Sequence, residues 1–103
     1  MRFILNESTL ENIIYEYINN YNYNLLNIKG KIVFQNYDDP ELADIKYFVD
    51  GKLCIVYIKL VNDISSFFSL DRNESLDYIK KWVQNELNRK VQLIMTKDTP
   101  IFI

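Results

Sequence analysis

The sequence has no histidine and a single cysteine, Cys54. Without imidazole the commonest general base, proton shuttle and metal ligand at neutral pH is missing. One cysteine excludes an internal disulfide, and with no histidine to activate it a thiol nucleophile is unsupported. Mid-strand and facing a core, Cys54 reads as a small buried hydrophobe. Glycine and proline are also scarce, two of each, which leaves little room for long loops. Both glycines fall at expected turns, so neither a phosphate-binding loop nor a dinucleotide fingerprint is present. No apolar run approaches the ~20 residues that cross a bilayer, and Met1–Asn6 show no leader-peptide pattern. A reducing cytoplasm is therefore expected, either the host cytoplasm or a virion assembled there. The net charge of −2 is too small to point to a strongly basic or acidic partner.

Apolar residues are plentiful. They make up 49% of the 103 residues, with eight Tyr, six Phe and one Trp, against 25% charged. That balance is globular rather than disordered. One domain of this length buries roughly two-thirds of its unfolded surface without metal or disulfide staples.

The chain is organised around residues 45–60. Asp50-Gly51 separates two β-rich runs, the strongest short-range hairpin signal, and a two-residue type I′ turn is expected there. The alternation places Tyr47 opposite Cys54 and Ile45 opposite Val56. One face then carries Ala43, Ile45, Tyr47, Val49, Cys54, Val56, Ile58 and Leu60. The other mixes Phe48, Leu53 and Ile55 with Asp44, Lys46, Tyr57 and Lys59. A sheet with one dry face needs helices on it and leaves the second face to water or a partner.

Before this hairpin, Arg2–Leu5 reads as a short strand, and Ser8 with Glu11 has capping-box spacing. Leu10, Ile13, Ile14, Tyr17, Ile18 and Tyr21 recur at helical intervals, predicting a helix over about 9–21. Lys31–Tyr37 reads as a strand and Asp38–Glu41 as a turn. Residues 62–70 read as a connection. Asp71 or Asn73 caps a helix over about 72–88, with Leu76, Ile79, Val83 and Leu87 as its stripe and Asn88 as its C-cap. Val91–Met95 and Ile101–Ile103 complete the pattern as strands. The expected fold is α+β and two-layer, with an antiparallel sheet whose central three-strand meander spans about 31–60. Two helices lie on one face, in the order β-α-β-β-β-α-β.

No catalytic constellation stands out, so a non-catalytic role without cofactor or metal is expected. The acids between Asp38 and Asp44 match no calcium loop and read as a solvated turn. What remains is apolar surface with no evident role inside the fold. Trp82 and Tyr78 share one helix flank, Tyr15 lies off the first helix stripe, Phe67 and Phe68 fall in the connection, and Phe48 is on the second sheet face. Aromatic groups with polar rims make good interface anchors, so these six are the expected partner contacts. Lys80, Lys81, Arg89 and Lys90 form a weaker candidate patch for nucleic acid.

Twelve Asn, fourteen Ile and nine Lys beside three Arg indicate AT-rich coding. The opening Phe3-Ile4-Leu5-Asn6-Glu7-Ser8 resembles the start of many small phage proteins. Together with small size, the lack of histidine and this coding bias, the resemblance points to a phage or mobile-element accessory protein. The missing catalytic site and spare apolar surface lead to the expectation that it acts by stoichiometric binding to a partner protein, as an inhibitor would. The alternatives are a structural or assembly subunit pairing with copies of itself, of virion or homo-oligomer type, and a nucleic-acid-binding module.

Overall fold

The computed structural model describes residues 7–103; the expected strand Arg2–Leu5 lies outside them. The described elements are α1 (Glu7–Asn19), β1 (Asn24–Ile28), β2 (Lys31–Gln35), β3 (Leu42–Phe48), β4 (Leu53–Tyr57), α2 (Ile58–Phe68), α3 (Arg72–Leu87), β5 (Leu93–Lys97) and β6 (Ile101–Phe102). The fold is α+β: among the described residues, a six-stranded sheet and three helices. The strands run in the order β1-β2-β3-β4-β5, and β6 pairs the start of β3.

The central hairpin has the register that alternation predicts, with Ile45 opposite Val56 and Tyr47 opposite Cys54. Its turn differs. The positive φ falls on Lys52, at 50°, and not on Gly51. Phe48 and Leu53 are the last paired residues, so residues 49–52 form the loop, closed by a left-handed residue at its end instead of a type I′ pair in its middle.

Two expectations fail for one reason: β4 stops early. The alternation that runs through Cys54 and Val56 continues onto Ile58 and Leu60, but these lie in α2. Leu60, Val61 and Ile64 are buried there, spaced as one helical stripe. The start of α2 carries no side-chain cap, because Tyr57 stands at the N-cap without a hydrogen bond from its side chain. The segment read as a connection is thus a helix without a start signal. It also allows β5 to lie parallel to β4, a pairing that requires a crossover; the sheet is mixed, not antiparallel throughout.

Helix α3 begins where expected, with a capping box. Asp71 Oδ1 accepts from the Glu74 amide at 2.7 Å, and Glu74 Oε1 accepts from the Asp71 amide at 3.2 Å. It ends at Asn88, φ 50°. Its buried residues are Ser75, Ile79, Trp82 and Val83, a face turned by about 60° from the predicted stripe towards Trp82. The unforeseen α2 explains the turn. Ser75 and Ser65 hydroxyls meet at 2.7 Å where α3 packs on α2, and small residues permit that close approach. Helix α1 starts at Glu7, so Ser8 is inside it rather than at its cap, and Glu11 accepts from the Tyr15 hydroxyl at 2.7 Å.

One main core joins Ile14 and Ile18 of α1, Leu60, Val61 and Ile64 of α2, and Ile79, Trp82 and Val83 of α3 to Phe34, Ile45, Tyr47, Cys54 and Val56 of the sheet. Burial pushes the Cys54 thiol up to about 12, in keeping with a structural residue. A small second cluster, Val33, Ala43 and Ile101, has Leu26, Ile55 and Tyr57 against it and no helix residue in it. Alternation alone expects Ala43 beside Ile45, yet it lies in the other cluster. Phe34 pairs Ile45 while Gln35 pairs Ala43, so Asp44 is an extra residue in β3, a β-bulge that reverses which face the preceding residues show.

Candidate docking face

Directly paired residues in adjacent strands share a face, and neighbours along a strand alternate. From the pairings, one cross-strand row on the second face is Ile28, Lys31, Phe48, Leu53 and Leu93; the next is Leu26, Val33, Lys46, Ile55 and Met95. Beyond the bulge, Gln35, Ala43 and Ile101 continue it, with Tyr57 and Lys97 alongside. Leu93 and Met95 of the edge strand are 57% and 47% exposed, and Ile28 at the opposite edge is also exposed. Phe48, Leu53, Ile55 and Tyr57 are half-buried.

Among the strand residues of this face the charge has one sign, with Glu41 standing just before β3 at its far end. Lys31, Lys46 and Lys97 stand on the face, and none of its strand residues is acidic. Lys31 Nζ lies 5.5 Å from the Phe48 ring centroid, and Lys46 Nζ donates to the Phe102 carbonyl at 2.9 Å. Partial burial, followed by the charges of Lys31 and Lys97, lowers the Lys46 pKa. Lys46, on the middle strand, therefore feels the charges on both sides of it.

The bulged Asp44 points the other way, and this is how the carboxylate leaves the second face. It is buried, accepting from the Tyr23 hydroxyl at 2.6 Å and from Asn36 Nδ2 at 3.3 Å. Tyr21 donates to Asp63 at 2.8 Å beside it. Burial first, then their hydrogen-bonded and charged neighbours, raise both phenol pKa values, strongly for Tyr23. Tyr21, Asn36, Asp44 and Asp63, with Asp38, Asp39 and Lys59, line a crevice. The expected turn at 38–41 is held by Asn36 Oδ1, which accepts from the Asp38 and Asp39 amides at 2.8 and 2.9 Å. Among the described residues no three His, Cys, Asp or Glu side chains come together as a metal site, and no helix is long and apolar enough to cross a membrane.

Of the six aromatic residues that the sequence singles out, only Phe48 lies on this face. Trp82 is a correction. At 4% exposure it is a core residue, its ring 5.4 Å from Phe34 and its Nε1 donating to Asn19 Oδ1 at 2.9 Å. The rotation of α3 that fills the space beside α2 draws it inward. Tyr78 and Tyr15 are half-buried beside the helical core. Phe67 is 67% exposed, and its ring sits 4.9 Å from Tyr17 and from Phe68; these form a separate small aromatic patch. Lys80 and Lys81 are half-buried on α3, where Lys81 pairs with Asp77 at 3.4 Å, while Arg89 and Lys90 are exposed just past its end. The four are not on the sheet face.

Leu93 and Met95 carry no local signal in the sequence, because their exposure depends on β5 being the outer neighbour of β4. No protein-family model matches the chain, and no curated protein or solved structure is significantly similar to it.

Proposed function

We propose that this chain is a small non-catalytic binding protein that docks a partner protein on the second face of its sheet. The observation that carries this reading is the two adjacent apolar rows, open to solvent at Leu93 and Met95 and crossed by Lys31 and Lys46 with no acidic residue in either row. Folded chains seldom leave a contiguous apolar surface uncovered unless something binds it, and a central apolar patch with a polar rim is the anatomy of a protein interface. A phage or mobile-element accessory setting rests on small size, the lack of histidine, the coding bias and the likeness of residues 3–8, which fall mostly outside the described residues.

The test pairs capture with reconstitution. A protein retained from host lysate should, once purified, bind the wild-type chain and fail to bind the Leu93→Asp/Met95→Asp variant, while Phe67→Ala leaves binding unchanged. Equal binding by the double Asp variant would remove this face from the interaction. A second reading, an assembly subunit, is supported by β1, whose residues Asn24–Ile28 carry no charge and, among the described residues, pair only with β2. An uncharged edge strand is a template for another copy. Light scattering that shows mass growing with concentration, abolished by Leu26→Pro, would favour it.

A further inference from the structure

Building on the docking role proposed above, we infer that the occupant of the second sheet face is an amphipathic helix of another protein that carries acidic residues beside its apolar stripe. Charge complementarity is the first ground. The chain as a whole has a net charge of −2, yet this face gathers Lys31, Lys46 and Lys97 with no acid among its strand residues. Cations spaced across an apolar surface select a partner with carboxylates at its margins and penalise one with lysines there.

A second copy is the poorer occupant. Lys46 stands on the middle strand of the sheet, so a symmetric face-to-face pair would bring the two Lys46 groups, and their Lys31 and Lys97 neighbours, towards each other in a drying interface. Single-stranded nucleic acid is poorer too. It needs free aromatic planes for base stacking, whereas the outward apolar groups are mostly Leu, Ile and Met, and the Phe48 ring already has the Lys31 ammonium 5.5 Å from its centroid.

Size points to the same element. Five strands at ~4.8 Å spacing span ~19 Å, and five residues along a strand span ~17 Å. Either length matches an α-helix of roughly 12 residues at 1.5 Å per residue. The central side chains of the opposite face, Phe34, Ile45, Tyr47, Cys54 and Val56, are already covered by helices, through Ile14, Val61 and Val83 among others.

Two synthetic helices of about 14 residues, sharing one Leu/Phe stripe and differing only in Glu or Lys on the polar side, provide the probes. Chemical-shift mapping on the intact chain should show the Glu peptide shifting amides of β4 and β5 in a saturable way. Its affinity should exceed that of the Lys peptide by about tenfold, the scale of a few partly exposed charge pairs. The preference should shrink in ~0.5 M salt, in the Lys31→Gln/Lys97→Gln variant, and further with Lys46→Gln added. Thermal melts establish that these variants are folded, and the double variant preserves the Lys46 bond to Phe102. Equal or tighter binding of the Lys peptide, displacement by oligo-dT at low salt, or self-association through the same amides would each overturn the inference. If a reconstituted partner needs Leu93 and Met95 while the Glu preference is absent, the docking face stands and only the acidic helix falls. If neither the peptides nor that partner touches β4 or β5, both fall.

Discussion

Tyr47 and Phe48 are sequence neighbours with similar rings, and they live in different solvents. Tyr47 is buried among the helices, its hydroxyl donating to the Lys90 carbonyl at 2.8 Å. Phe48 points to the second face, where the Lys31 ammonium lies 5.5 Å from its ring and the apolar cluster contains no helix residue. The same division separates Val56 from Ile55 on β4. Residue type alone therefore does not mark the interior here. On the helix-covered side, buried polar groups among the described residues have partners, Asp44 with Tyr23 and Asn36, and Trp82 with Asn19. The open side presents apolar side chains and lysines to solvent.

If that comparison is right, substitutions on the two sides should differ in kind. Trp82→Ala is expected to have the largest effect, a loss of about 3–5 kcal/mol in denaturant melts, because it empties core volume beside Phe34 and leaves Asn19 without its donor. A variant near wild-type stability would return Trp82 to the surface and break the comparison at its strongest point.

Cys54 offers a pH test of the covered side. Its thiol is raised from the ordinary value of 9.0 to about 12 by burial. The unfolded chain therefore releases this proton first, so stability is fully present below pH 9 and falls as pH rises from about 9 to 12. The phenols of Tyr15, Tyr21 and Tyr23, also raised from their ordinary value of 10.0, act in the same direction from about pH 10 upward and so overlap the thiol's interval. In Cys54→Ala the decline over that interval should be shallower; an unchanged slope would mean that the thiol is not sealed.

Smaller again is Tyr23→Phe, which withdraws the 2.6 Å donor from Asp44 and is expected to cost about 1.5–3 kcal/mol, the range for hydrogen bonds to a charged group. The smallest change in stability should come from Leu93→Ser on the open side, within about 0.5 kcal/mol, measured in the same melts. A loss comparable to that of Trp82→Ala would show that Leu93 supports a core and is not waiting for a partner.

Much of this is legible in the chain wherever one local rule decides the outcome. The capping box at Asp71 and Glu74, the left-handed Asn88 and the pairing of Tyr47 with Cys54 each follow from residues a few positions apart. Helix α2 is hidden because period-two and helical spacings overlap at Ile58 and Leu60 and no polar cap marks its start. The face of α3 is misjudged in consequence, and with it the place of Trp82. Phe48 is recognisable as a candidate contact, whereas Leu93 and Met95 look like no more than part of a closing strand.

Side-chain identity and spacings of a few residues are enough to set the alternation of residues 45–56, the start and stop of α3, and the exclusion of imidazole and disulfide chemistry. Other outcomes emerge once distant strands are adjacent: Asp44 bulges out of register and turns inward, β5 docks parallel to β4, and Lys31, Lys46 and Lys97 meet on one face. These depend on which surfaces compete for burial in the folded chain, and no local spacing encodes that competition.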